Sequence, residues 1–177
     1  SRLGIQNVVL VSDSGYSGTK NINDCLRNKV GFLFNMKCGI SGSLTQELID
    51  EERLNLQDLN RRDWYTQVFQ VTKKITWIYE PSPVKNQRST RKTQETAELY
   101  WHIYFDRQIA ENARQGLLER IDRVREKLAN GKALDENEQT LLEEVFEKHE
   151  HDEAVSFSIA NKKVDQKLRY NGYRVLV

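Results

Sequence analysis

The stretch that decides the fold is Gln6-Asn7-Val8-Val9-Leu10-Val11-Ser12-Asp13-Ser14-Gly15-Tyr16, an apolar run that ends at a carboxylate. Four consecutive aliphatic residues without polar alternation are typical of a strand covered on both faces, as in the middle of an α/β sheet. Ligands bind outside the carboxyl ends of such strands, so the pattern indicates that Asp13 is presented to a substrate or a metal ion. Asp followed by Ser-Gly is also ordinary turn chemistry, and from this stretch alone a structural role is favoured.

A helix and a second strand follow this run. Apolar residues at helical spacing predict a helix over residues 20–28, and the run Val30–Met36 predicts a strand that ends at Lys37. Strand, helix and strand together are suited to parallel pairing with a crossover connection. The glycine spacing after Asp13 is wrong for a P-loop, although Lys20 at the helix start is placed to meet a phosphate.

Composition sets limits on the class of protein. The 177 residues are 30% charged and 38% hydrophobic, with a formal net charge of +1, as in a globular chain with solvated helices. No apolar run approaches membrane-spanning length, no signal-peptide core is present, and the two cysteines make no disulfide framework. We therefore expect a cytoplasmic protein without membrane contact, in which Cys25 and Cys38 are buried, inert thiols.

The middle of the chain predicts an antiparallel meander of three strands, Trp64–Val71, Ile75–Tyr79 and Glu95–Phe105, rich in aromatic and β-branched residues. On the third strand, odd-numbered residues from Leu99 share one face and even-numbered residues share the other. Between the second and third strands, a proline-containing basic loop without acidic residues is predicted to be exposed. Its cations are Lys85, Arg88, Arg91 and Lys92.

The last third of the chain predicts a helical hairpin. Residues 107–130 carry an apolar stripe that begins at Ile109, and Asp135 with Glu138 forms a capping-box pattern for the second, acidic helix. Residues 149–153 contain metal-ligand residue types, but a solvated acidic helix end is favoured over a metal site. A further helix over 161–168 and a turn at Asn171-Gly172 lead into a strand over 173–177. Because the chain stops inside that strand, we expect a fragment of a longer protein.

Taken in order, these stretches resemble the DDE-type transposases of bacterial insertion sequences, in the branch with a strand-rich insertion. Residues 8–17 with Asn21-Ile22 look like the strand that carries the family's second catalytic Asp, followed by its "Asp-x-Gly-[aromatic]-Ser…Asn-Ile" turn and helix. Residues 30–37, 100–120 and 170–177 are similar to three later elements of the family. Two positions depart from the pattern: Ser14 stands where a basic residue is frequent, and Asn171 stands where Asp precedes Gly.

The resemblance implies an α+β fold, with part of an RNase H-like catalytic core and an inserted antiparallel meander and helical hairpin. Core residues would be 1–38 and 160–177, and the insertion 39–159. The implied chemistry is metal-dependent DNA cleavage and strand transfer, with Asp13 as a catalytic residue and ligand of Mg²⁺ or Mn²⁺. The first catalytic Asp and the catalytic Glu would lie outside this chain, so we expect the chain alone to be inactive and to bind Mg²⁺ poorly.

The implied partner is DNA, both transposon ends and target, bound by a homodimer in the DNA complex. The predicted DNA-binding residues are Lys20, Lys37, Lys85, Arg88, Arg91 and Lys92. Two alternatives stay open at this point: a non-catalytic DNA-binding or assembly module derived from a transposase, and an RNase H-like nuclease.

Overall fold

The computed structural model describes residues 9–81, 94–151 and 154–177. Contacts divide the chain into two compact units, residues 1–105 with 173–177, and residues 106–172. Helices and a mixed sheet make the fold α+β, as predicted. The elements in chain order are β1 (Val9–Ser12), α1 (Thr19–Arg27), β2 (Gly31–Met36), α2 (Leu44–Glu52), β3 (Phe69–Tyr79), β4 (Glu95–Phe105), α3 (Arg107–Ala129), α4 (Glu136–Val145), β5 (Phe146–His151), β6 (Ala154–Ile159), α5 (Asn161–Leu168) and β7 (Tyr173–Leu176).

The first unit is built on a five-stranded sheet with the strand order β1-β2-β7-β4-β3. β1 and β2 are parallel, and the other neighbouring pairs are antiparallel. The predicted strand-helix-strand unit with parallel strands is therefore confirmed. β7 returns from the far end of the chain to lie between β2 and β4, so the last strand joins the sheet begun by the first.

One face of this sheet carries the core of the first unit. Ile103 on β4 is buried together with the residues directly opposite it, Val71 on β3 and Val175 on β7. Trp101 on β4 and Phe34 on β2 are also at most 1% exposed. The predicted alternation on β4 is confirmed, since Leu99, Trp101 and Ile103 are buried whereas Tyr100 is exposed. Buried residues of α1, α2 and the short turn after α2 complete this core: Ile22, Cys25, Leu48, Ile49 and Leu56.

The prediction that the first strand is covered on both faces was wrong. β1 is the edge strand of the sheet, pairs only with β2 among the described strands, and leaves Val9 61% and Val11 69% exposed. A continuous apolar run fits a strand buried on both faces, but an edge strand with the same residues exposes them unless a further element packs there.

The predicted three-stranded meander was also wrong, because its first two strands are one. β3 runs without interruption from Phe69 to Tyr79 and pairs with β4 along its whole length. The pair Lys73-Lys74 interrupts the apolar pattern and made one strand look like two. Residues 64–68 form a turn before β3 instead of extending the strand.

Lys73 lies half-buried on the core side of β3, where it pairs with the buried carboxylate of Glu52. Lys73 Nζ lies 2.7 Å from Glu52 Oε1 and 3.3 Å from Glu51 Oε2, and Asn55 Nδ2 donates to Glu52 Oε2 at 2.7 Å. The hydrogen bond from Lys73 is the main reason why the pKa of Glu52 lies below its usual value, although burial opposes the shift. The pair thus ties α2 to the middle of β3.

The second unit has its own core. α3 and α4 form the predicted helical hairpin, and the predicted capping box of Asp135 and Glu138 is present. The stripe on α3 is buried only in its second half, since Ile109 is 49% exposed. The core of this unit is Leu117, Ile121, Val124, Leu141, Val145, Phe146 and Val164.

The acidic end predicted for the second helix over residues 149–153 is a strand as far as His151, and residues 152–153 lie outside the described residues. β5 begins at Phe146 directly after α4 and pairs antiparallel with β6. His149 Nε2 lies 2.8 Å from Ser158 Oγ on β6, a cross-strand hydrogen bond. Phe146 ends α4 because its backbone is extended and its side chain is buried against the helices, a tertiary effect that helical spacing does not reveal.

The compact units have different boundaries from the predicted segments. β3 and β4 belong to the same sheet as β1 and β2, and the first compact unit extends to residue 105. Whether residues 39–159 form an insertion in a catalytic core stays a prediction.

Both cysteines are free; Cys25 is buried and Cys38 is partly buried. Burial raises the pKa of both thiols, in line with the expected inert character. Within the described ranges, no helix combines the length and the apolar character needed to span a bilayer.

We expect Glu52→Gln to lower the free energy of unfolding at pH 7 by about 1–3 kcal/mol, because it weakens a charge-assisted hydrogen bond of a mostly buried group. The depressed pKa of Glu52 contributes stability above its unfolded value near 4.5, and that contribution is lost as the pH falls through the folded pKa. Urea unfolding at pH 7 and pH 3 should therefore show a smaller gap between wild type and variant at pH 3. Glu51→Gln is the matched control, since the Glu51 side chain is 61% exposed and that of Glu52 only 9%; an equal loss in both variants would contradict the assignment.

Gly172→Ala should destabilise the protein by more than about 2 kcal/mol. Gly172 has φ +82°, and a Cβ there would lie 2.6 Å from the backbone oxygen of Asp106 and 2.7 Å from Ala110 Cβ. A left-handed backbone alone costs about 1–2 kcal/mol for an L-residue. Gly131→Ala measures that cost separately, because Gly131 has φ +63° and open space around it. Equal unfolding free energies for the two variants would show that the close approach at Gly172 is without effect.

Candidate functional site

The candidate site lies at the end of the first unit's sheet where β1 and β2 both finish. Asp13 directly follows β1 and Lys37 directly follows β2, and the two strands are parallel. β7 runs antiparallel to β2, so its first residues lie beside the end of β2. Met36 pairs with Val175, and the residues next to this pair, Lys37 and Arg174, line one depression.

The loop after β1 is held by its own hydrogen bonds. Gly15 N donates to Asp13 Oδ1 at 2.9 Å, and Ser17 Oγ donates to the Ser14 carbonyl at 2.9 Å. Asn21 Nδ2 reaches back from α1 to the Tyr16 carbonyl at 2.7 Å. The turn chemistry favoured from the sequence is therefore present: one oxygen of Asp13 serves the turn, and the side chain is exposed.

Lys37 and Arg174 give this end of the sheet a positive charge. Both residues are exposed, and neither forms an ion pair with a carboxylate of the described residues. They line an open depression of about 520 Å³ together with Ser14. Lys20, the second residue of α1, is exposed and likewise has no acidic partner among the described side chains.

Tyr173 fixes the start of β7, and thereby the position of Arg174. Cys38 Sγ lies 3.6 Å from the Tyr173 carbonyl oxygen, and the ring of Tyr173 packs on Phe105 with centroids 4.6 Å apart. Arg53 donates to the Tyr173 hydroxyl at 3.2 Å. Burial raises the pKa of Tyr173, although the charge of Arg53 opposes the shift. The phenol therefore stays protonated, and Arg174 extends from an anchored strand.

The described residues do not form a metal site by themselves. A divalent hard cation takes six or more oxygen ligands, of which the protein supplies several in a dedicated site. Asp13 offers one carboxylate, and the described ranges contain no group of three or more His, Cys, Asp or Glu side chains that could hold a metal ion. Binding of Mg²⁺ or Mn²⁺ by Asp13 together with further ligands stays a prediction.

The structure places two of the predicted site residues at one end of the sheet, Asp13 directly after β1 and Lys37 directly after β2, whereas Lys20 lies in the first turn of α1. It adds Arg174, which the sequence analysis did not select. The signal that could have found it is the Arg directly after the Gly172-Tyr173 turn, in a strand whose pairing partner was not predictable. The other four predicted DNA-binding residues, Lys85, Arg88, Arg91 and Lys92, lie outside the described residues.

A second depression, of about 570 Å³, lies beside β1 and α1 and is lined mainly by apolar side chains that include Leu10, Cys25 and Val30. It offers neither a cation nor a nucleophile of raised reactivity, because the pKa of Cys25 is raised by burial and by Asp24. Of these two depressions, the one at the end of the sheet is the one lined by cations.

Comparisons with known proteins give no further assignment: no family model, curated protein or solved structure matches this chain.

Proposed function

We propose that this chain is part of a DDE-type transposase with an RNase H-like catalytic core, and that its candidate site binds the DNA backbone beside a catalytic carboxylate. The observation that carries the proposal is the placement of Asp13 directly after β1, at the same end of the sheet as Lys37 after β2 and Arg174 near the start of β7. Ligands of open α/β sheets collect at this position.

The roles of the residues follow from their charges. Lys37 and Arg174 neutralise phosphates, Arg174 with a planar fork that matches two phosphate oxygens and Lys37 as a point charge. Lys20 at the start of α1 contacts the strand further along. Asp13 contributes the carboxylate oxygen that does not bond to Gly15 N. The other acidic residues of the catalytic set would lie outside this chain.

A non-catalytic DNA-binding module is the second candidate, and one observation favours it. The Asp13 carboxylate accepts the hydrogen bond of Gly15 N, so the residue has a sufficient structural role without catalysis. The two candidates share the DNA surface and differ only in what Asp13 does, which makes them separable by experiment.

The double variant Lys37→Ala with Arg174→Ala should bind duplex DNA more weakly, with a log–log salt slope shallower by about 2, because each phosphate contact contributes about −0.9. Fluorescence anisotropy over a series of salt concentrations measures both quantities. Lys132→Ala with Lys162→Ala is the matched control, since it removes the same charge from exposed positions in the other unit. Unchanged affinity in the first variant would move the DNA surface elsewhere, with Lys85, Arg88, Arg91 and Lys92 as the next residues to replace.

Asp13→Asn separates catalysis from turn formation, since Asn can accept the Gly15 hydrogen bond but carries no charge. We expect an unchanged melting temperature and unchanged DNA affinity. Cleavage at transposon ends by the whole transposase should fall by about a hundredfold or more, because a carboxylate acting at a phosphodiester supplies several kcal/mol to the transition state. Retained cleavage at normal stability would reject the catalytic role and leave the DNA-binding module.

A further inference from the structure

A closed turn precedes β3, away from any residue assigned above. Asp63 N donates to the Val68 carbonyl at 2.9 Å, and Gln67 N donates to the Asp63 carbonyl at 2.7 Å. The Asp63 carboxylate accepts from Tyr65 N at 2.9 Å and from Thr66 N at 2.7 Å. The bonds from Thr66 are the main reason why the pKa of Asp63 is lowered. The turn therefore has a defined conformation, in which Gln67 adopts φ 63°.

This turn presents two aromatic rings to solvent. Trp64 is 68% exposed and Tyr65 is 98% exposed. Aromatic side chains normally bury 150–250 Å² each, so two adjacent exposed rings on an ordered turn are uncommon. Neither ring is needed for the core of the unit, whose aromatic members in this region are Phe69 and Trp101.

Arginine flanks the exposed rings. The Arg62 guanidinium lies 5.4 Å from the centroid of the Trp64 ring and 5.9 Å from that of Phe69, and it also donates to Gln67 Oε1. These contacts fix the indole by cation–π attraction. The neighbouring Arg61 is exposed. The turn thus combines two exposed flat rings, of which Trp64 is held by Arg62, with positive charge.

We propose that the Trp64–Tyr65 turn is a stacking platform for unpaired bases of a DNA strand, with Arg61 at the adjacent phosphate. Every base has a flat π face, and proteins that hold single strands combine stacking rings with cations in this way. Bases inside a duplex are already stacked on each other, so the rings select DNA with unpaired or displaced bases. The inference rests on the proposed function, in which DNA is the ligand. It adds a second contact that distinguishes unpaired from paired bases.

The test compares the affinity of the whole chain for a single-stranded oligo(dT), a gapped duplex and a blunt duplex of equal length. Trp64→Ala with Tyr65→Ala should weaken single-strand and gap binding by about fivefold to a hundredfold, the loss expected for removing base stacking. Blunt-duplex affinity should change by less than about twofold. Trp64→Phe with Tyr65→Phe keeps both rings and should retain most of the affinity. Tyr100→Ala is the control for an exposed aromatic residue outside the turn, since Tyr100 is 51% exposed.

Tryptophan emission gives a second readout. Oligo(dT) should quench the exposed Trp64 in wild type and cause much less quenching in Trp64→Phe, because Trp101 is 1% exposed and Trp77 is partly buried with its Nε1 donating to Asn23 Oδ1 at 2.7 Å. Full affinity in the double Ala variant at an unchanged melting temperature, or equal losses on all three DNAs, would overturn the platform. Failure of wild type to bind single strands would do the same and leave the rings as a protein contact. The Lys37 and Arg174 variant reports separately on duplex binding, so the proposed function and the platform can fail independently.

Discussion

The ladder between β3 and β4 is the constraint on which the first unit depends. Eleven residue pairs, from Phe69 opposite Phe105 to Tyr79 opposite Glu95, fix which side chains of both strands face the core. A shift by one residue would turn Trp101 and Ile103 to solvent, so the register is held by burial. β7 then pairs with the other edge of β4, and β2 pairs with β7. The position of Arg174 near Lys37 therefore depends on the pairing of β3 with β4, because β4 positions β7 and β7 positions the end of β2.

The same ladder explains why local patterns predicted some elements and not others. β4, α3, α4 and α5 were predictable because each has a strong period of its own and, for α4, a capping signal in the sequence. β3 was not, since the inward-facing Lys73 breaks the apolar alternation. The position of Lys73 on the core side depends on its ion pair with Glu52, whose carboxylate also accepts from Asn55. The sequence around these two residues has no clear pattern that predicts a helix or a strand. A charged residue on a core face is readable only when its partner is known, and that partner is set by tertiary contacts.

The residues of the candidate site also fall into two groups, those that a local sequence pattern predicts and those that only tertiary pairing brings there. Asp13 and Lys37 were predictable because each directly follows an apolar run, and residues at strand ends meet at one edge of a parallel sheet. Arg174 was not predictable, because it reaches the site by antiparallel pairing between segments far apart in sequence. Cys38 and Tyr173, which contact each other there, are 135 positions apart.

The exposure of Trp64 and Tyr65 was not predictable for a different reason. Aromatic residues next to β-branched ones favour a strand, whereas the carboxylate of Asp63 accepts hydrogen bonds from two backbone amides and forms a turn.

Asp13 and Asp63 each stabilise a turn, and in Asp13 one carboxylate oxygen stays available to bind a ligand. Each accepts backbone amides with Oδ1, so each is held in one orientation by the turn that it forms. For Asp63 the consequence is a defined turn that exposes two aromatic rings. For Asp13 it is a fixed direction for the second oxygen, at the sheet end that also carries Lys37 and Arg174, two cations that form no ion pair with any carboxylate the structure describes. A structural role and a catalytic role for Asp13 therefore do not exclude each other, because a carboxylate already immobilised by its turn loses less conformational freedom on binding a ligand than a free one.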